Sequence, residues 1–333
     1  MKSKLSVLAL AVSAALSFSA AHAADQSTVT QKGNGNNTSV TQAGNLNQGS
    51  VTVTEDGNNN RTTVTQARNA SYSTATVTDN DGANNNVSAI SQSDNTGAAA
   101  HVQNWGSSNN ASIAQNGVYA VNTRSDGVYG LIYQNGNNNQ GSINQSAGAD
   151  QRATINQNMY GQHGTDNVAS ATQTGYNQTA AIEQGPGSYN RVTTSQSSLD
   201  NNATVAQSGL SNQAYLTQVG TGMVNVADVT QAGDGNYAVL SQNGSNLTAS
   251  LTQGGNNNTA SVGQSGLNSD AVLSQGGDWN TAYLTQTGNG AANAINLAQS
   301  GDYNLASISQ TGQNFTSTNT QSGNGNVLTV AQY

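Results

Sequence analysis

The chain has 333 residues, of which 7% are charged and 5% aromatic, with 37 glycines, one proline and no cysteine. Without cysteine there is neither a disulfide framework nor a thiolate metal site, and a formal charge of −8 argues against nucleic acid as a partner. Asn, Gln, Ser and Thr stand where Lys, Glu and Leu would be usual, so order has to come from a period.

Residues 1–23 read as a secretory signal peptide: Lys2 and Lys4, an apolar run from Leu5 to Leu16, then Ala21-His22-Ala23 as a small-residue cleavage site. No later segment has 18 consecutive apolar residues, so no transmembrane segment is expected. Once Lys2 and Lys4 are removed, six basic residues face sixteen acids, 6 − 16 = −10.

From residue 24 to 333 one unit recurs. Its landmark falls at Gln31, Gln42, Glu55, Gln66, Asp79, Gln92, Gln103, Gln115, Arg124, Gln134, Gln145, Gln157, Gln173, Gln184, Gln196 and Gln207. It continues at Gln218, Gln231, Gln242, Gln253, Gln264, Gln275, Gln286, Gln299, Gln310, Gln321 and Gln332, mostly in steps of 11 residues. The unit from Gln207 is Gln-x-Gly-x-x-Asn-x-Ala-x-Leu-x-Gln. Two residues before the landmark stands Val, Ile or Leu in 22 of 27 units; the exceptions are His101, Asn122, Ala171, Thr194 and Asn319. The aliphatic row includes Val40, Val64, Ile90, Ile113, Ile143, Ile155, Ile182, Val205, Leu216, Val229, Leu240, Leu251, Val262, Leu273, Leu284, Leu297, Ile308 and Val330.

Even spacing puts Asn, Ala, Leu and Gln on one face of an extended strand. Gly209, Gly233, Gly244, Gly255, Gly266, Gly277, Gly288 and Gly312 are expected to supply the reversals that end the strands. A strand that short cannot bury its inner face alone, so units must stack. The expected fold is all-β: a two-sheet β-solenoid with strand-turn-strand rungs of about 22 residues, roughly 13 to 14 rungs, and cross-β amyloid architecture. Gln at a constant height, with Asn212, Asn236 and Asn258, forms an inward amide ladder, because a buried amide needs a partner above and below. The stretch around residues 118–200 is rougher: a poor unit at 118–133, an insertion at 158–172, and Pro186. Extended turns on one continuous column account for it.

The unit Gln-x-Gly-x-x-Asn-x-Ala-x-x-x-Gln closely resembles the curlin repeat, from the subunits of curli, bacterial extracellular amyloid fibres. The ending Val330-Ala331-Gln332-Tyr333 is similar to that of major curlin subunits, and this chain is longer than the five-repeat members. The resemblance implies export through the periplasm and the curli secretion channel, templating on a minor curlin nucleator, and fibres that serve biofilm matrix, surface adhesion and aggregation. With no cap read at either end of the repeat, homopolymerisation end to end is expected. Asp200, Asp228, Asp234, Asp270, Asp278 and Asp302, mostly at turns, serve either solubility or gatekeeping against premature assembly.

No cofactor, metal site or enzymatic activity is expected. His101 and His163 lie far apart, no acids pair for acid/base work, Gly33-Asn34-Gly35 lacks the lysine and helix of a phosphate loop, and no calcium-binding nonapeptide recurs. Two other readings stay open, an ice-binding solenoid and a soluble adhesin solenoid. The first rests on the pairs Thr28/Thr30, Thr52/Thr54, Thr63/Thr65 and Thr76/Thr78.

Overall fold

The computed structural model describes residues 13–18, 25–43, 48–80, 82–119, 127–158, 164–220, 222, 224–288 and 292–333. Among them every regular element is a strand, and the strands form a parallel β-solenoid of about 12 turns. The alternation read from the sequence is visible in each: along Gln213–Gly220, the residues Ala214, Leu216, Gln218 and Gly220 are buried while their neighbours face out.

Each strand pairs, parallel and in register, with the strand one turn on, so two ladders run the length of the chain. One begins Gln26–Lys32, Ser50–Asp56, Thr74–Asp79, Ala98–Trp105 and ends at Thr316–Ser322. The other begins Asn37–Ala43, Arg61–Ala67, Val87–Ser93, Asn110–Tyr119 and ends at Val327–Gln332. The 18-residue strands Tyr237–Gly254 and Thr259–Gly276 serve both, their first halves in one ladder and their second halves in the other.

Side chains from both ladders meet in one continuous core of Val, Ile, Leu and Ala from Val40 to Ile308. At the ends Val29, Leu328 and Val330 are only partly buried, because among the described residues the strands Gln26–Lys32 and Val327–Gln332 have a strand on one side alone.

Some sequence readings need correction. From Gln26 on, each ladder holds 13 of the described strands, about 12 turns from first to last, at the lower end of the 13 to 14 rungs expected. Arg124 lies outside the described residues, and Ala98–Trp105 pairs directly with Val128–Asn137 while Asn110–Tyr119 pairs directly with Gln140–Ala149. The landmark Gln103 is also displaced by one residue: Asn104 pairs with Asp79 and Gln134, and Val102 lies in the core. His101 consequently faces outward and half-buried, not in the aliphatic row, and desolvation lowers its pKa below the usual 6.5.

Gly244 and Gly266 do not end strands; they lie inside the two long strands where the chain passes from one ladder to the other. Gly288 ends a strand without a positive φ. Gly209, Gly233, Gly255, Gly277 and Gly312 do sit in turns with positive φ. Gly255 has φ 85°, and a Cβ there would collide with the carbonyl of Gly277 one turn on.

Of the segment read as a signal peptide, only Ser13–Phe18 is described. It is a strand parallel to Asn37–Ala43. In the rough middle, the ladder resumes in register at Val168, and Gly164–Thr165 pairs with Gly136–Asn137. Pro186 takes a turn position where its carbonyl accepts from Gly209 N–H and no ladder donor is required of it. His163 lies outside the described residues.

Candidate assembly site: the interior amide columns

Parallel in-register stacking places equivalent side chains one strand spacing apart, about 4.8 Å. That is the distance over which one carboxamide can donate to the next. Along the second ladder the Nε2 of Gln42 donates to the Oε1 of Gln66, and the relay continues through Gln92, Gln115, Gln145, Gln173 and Gln196. From there it passes through Gln218, Gln242, Gln264, Gln286 and Gln310 to Gln332, with distances of 2.7–3.0 Å. Every bond points the same way, so the amide dipoles add and polarise one another.

The first ladder repeats the arrangement from Gln134 through Gln157, Gln184, Gln207, Gln231, Gln253, Gln275 and Gln299 to Gln321, at 2.7–3.2 Å. The other Nε2 hydrogen reaches a backbone carbonyl of the opposite ladder, for instance from Gln253 to Tyr237 and from Gln275 to Thr259. A buried amide is thereby satisfied on all sides, as its cost of desolvation requires.

The Asn column works differently. Asn212, Asn236 and Asn258 are fully buried, and each Oδ1 accepts the backbone N–H of the Asn one turn on. The same bond links Asn36, Asn60, Asn86, Asn109, Asn139, Asn167, Asn190 and Asn212, and then runs from Asn258 through Asn280 and Asn304 to Asn326. Their Nδ2 groups donate to turn carbonyls, as from Asn236 to Gly255 and from Asn258 to Gly277. Sequence reasoning singled out three of these residues; a Gly-x-x-Asn spacing carried the signal for the others except Asn86, which stands four residues after Gly82.

All eighteen residues of the aliphatic row point into the core, Val330 only partly. Val53, Val77, Val102 and Ile132 complete it.

Near the amino end the Gln relay is interrupted. Gln31 Nε2 donates to Glu55 Oε2 at 2.7 Å, and Asn104 Nδ2 to Asp79 Oδ1 at 2.7 Å. Glu55 and Asp79 occupy adjacent turns and are fully buried. Gln31 Oε1, Gln42 Oε1, Glu55 Oε1, Asp79 Oδ2 and Gln134 Oε1 are left as buried acceptors with no partner.

The six aspartates divide into two sets. Asp234, Asp278 and Asp302 sit in turns, where each carboxylate accepts the backbone N–H of the equivalent residue one turn before, from Leu210, Asn256 and Asp278. Asn256 and Asn324 do the same for Asp234 and Asp302. Asp200 accepts from Asn177 beside a corner. Asp228 and Asp270 are not at turns; they lie mid-strand on the outer face, because their odd offset from Gln231 and Gln275 points them away from the core.

On the outer face Thr28, Thr52 and Thr76 stack in register, as do Thr30, Thr54 and Thr78. The next turn presents His101 and Gln103 at those places, so both rows stop at three.

The family described as the curlin associated repeat matches residues 222–255, 233–266, 246–276 and 266–291. No curated protein matches the chain. The matched span holds Gln231, Gln242, Gln253, Gln264, Gln275 and Gln286, where both Gln relays are unbroken. Over residues 222–291 the chain is built of curlin-associated repeats.

Proposed function

We propose that the chain is a structural, non-enzymatic subunit of extracellular curli-like amyloid fibres, polymerising end to end to serve biofilm matrix, surface adhesion and aggregation. The observation that carries this reading is the Gln relay from Gln42 to Gln332, which ends on a strand whose inner face is only half covered. A second copy stacked on that end continues both relays: Gln321 donates to Gln31 of the next copy, and Gln332 to its Gln42. Both acceptors, Gln31 Oε1 and Gln42 Oε1, are without a partner inside one chain. On this reading the two ladders are two facing sheets of one cross-β fibre.

The curlin-repeat match over residues 222–291 supports secretion to the cell surface, with a minor curlin nucleator and the curli secretion channel as further partners. Residues 1–23 are then the signal peptide. Their strand Ser13–Phe18 covers the edge of Asn37–Ala43, so their removal opens the edge that the next copy takes.

The test is incubation of purified residues 24–333 alone, followed by sedimentation and electron microscopy. Unbranched fibres that shorten the lag of a fresh solution when added as fragments are the expected result. A solution that stays monomeric for days at high concentration overturns the proposal.

A further inference from the structure

We propose that Glu55 and Asp79 form a buried proton-binding site, in which one shared proton on Asp79 Oδ2 is donated to Glu55 Oε1 and closes the Glu55–Asp79 gap in the first amide ladder. The two residues pair across adjacent strands. Their far oxygens are already satisfied, Glu55 Oε2 by Gln31 and Asp79 Oδ1 by Asn104. What remains between them is acceptor against acceptor, the unpartnered Glu55 Oε1 and Asp79 Oδ2. One turn on, Asn104 Oδ1 and Gln134 Oε1 also lack a donor; from Gln134 to Gln321 a donor faces an acceptor at every step. A single proton turns one of the two carboxylates into a donor and restores the pattern between them; two protons would leave a surplus donor, and none leaves two like charges in a low-dielectric interior.

The surroundings are adapted to the pair. Opposite it the second ladder carries Thr38, Thr62 and Ser88, where the following turns carry Ala111, Gly141 and Ala169. Thr38 and Ser88 accept from Gln31 and Asn104, and the Thr62 hydroxyl, between them, has no partner. The inner faces packed on the pair bring no charge of either sign. The charged groups of those elements, Lys32 with Asp56, Arg61 and His101, belong to the outer face or the turns. No cation compensates the carboxylates from within.

Burial pushes the Asp79 carboxyl up from 3.8 to about 6; the hydrogen bond from Asn104 opposes this and the charge of Glu55 adds to it. With the folded value above the unfolded one, the stabilisation by the proton is fully present below about pH 4 and is lost as pH rises through about 6.

The experiment is hydrogen exchange with mass spectrometry on the monomeric full chain at pH 5 and pH 8, corrected for intrinsic exchange, with infrared spectra of the carboxyl stretch. Strands Ser50–Asp56 and Thr74–Asp79 are expected to be protected about 10-fold more at pH 5 than at pH 8, because pH 5 lies about one pH unit below the folded value of about 6. Thr259–Gly276 should show no such difference. In Asp79→Asn the side-chain N–H takes the place of the proton, so protection becomes pH-independent and the buried protonated carboxyl band disappears; Glu55→Gln with Asp79→Asn gives the same result. Persistence of the wild-type pH dependence in either variant overturns the proposal. So does recovery of the pH 5 protection at pH 8 on addition of calcium, which would show that the oxygens hold a cation. The readout needs no fibre, so it stands apart from the assembly proposal.

Discussion

Gln231 donates to Gln253 at 2.8 Å, while Gln253 donates in turn to Gln275 and to the carbonyl of Tyr237 on the opposite ladder. One side chain thus ties together three turns and both ladders. The recurrence of glutamine follows from this geometry: only an amide is both donor and acceptor at the height its neighbours need.

Gln253→Ala should leave the Gln231 N–H and the Gln275 Oε1 bare. The expected loss is about 1–3 kcal/mol for each orphaned group, read as a lower urea midpoint at constant slope. Thr252→Ala, on the outer face next to it, should stay within about 0.5 kcal/mol. Equal effects would contradict the relay.

The register around Ala98–Trp105 makes a second prediction. Val102 is in the core and His101 is outside it. Truncation of Val102 to Ala should cost clearly more than His101→Ala, because only the first opens a cavity in the packed interior. Thermal melting of both variants decides it, and the reverse order would restore Gln103 as the ladder residue.

Turn aspartates should be replaceable by asparagine without loss of stability. Asp278 accepts the Asn256 N–H through Oδ1, and the turn residues Asn256 and Asn324 make the same bond. Asp278→Asn is therefore expected to change stability by less than about 0.5 kcal/mol, whereas Asp278→Ala loses the acceptor and about 1 kcal/mol. If these charges also restrain assembly, Asp234→Asn, Asp278→Asn and Asp302→Asn combined should shorten the lag of fibre formation. An unchanged lag leaves them as turn acceptors only.

Retention of residues 1–23 should slow assembly, since Ser13–Phe18 pairs with the edge of Asn37–Ala43. The precursor and residues 24–333, compared at equal concentration by sedimentation, should differ in lag time. Equal lags would show that this edge is not the one used.

Much of this was legible in the residues because a period constrains every turn alike. From Gln207 onward the spacing alone places Leu216 and Gln218 inside and Tyr215 and Thr217 outside, and the structure has them so. Legibility failed where the landmark changed chemistry. Asn104 stands in the glutamine column, whereas the glutamine spacing points to Gln103, one residue early, and with it to an inward His101. It failed again at Gly244 and Gly266, which share the spacing of the turn glycines although the chain there runs on from one ladder into the other. Among the six aspartates read as mostly at turns, the odd offset of Asp228 and Asp270 from Gln231 and Gln275 marks these two as outer strand residues. Glu55 and Asp79 are visible as landmarks, but their orphaned oxygens depend on which donors lie above and below, which the spacing does not encode.

The continuation of both relays from one molecule into the next is tested most directly by cross-linking in a chain that has no cysteine of its own. With Gln321 set over Gln31 of the next copy, the outward Thr320 lies over its Thr30, within the Cα separation a disulfide accepts. Fibres of Thr30→Cys with Thr320→Cys should oxidise to covalent multimers, whereas fibres of Thr30→Cys with Thr285→Cys, a mid-column position, should remain monomeric on non-reducing gels. Fibres that form yet give no multimers with the first pair, or as many with the second, would contradict the account.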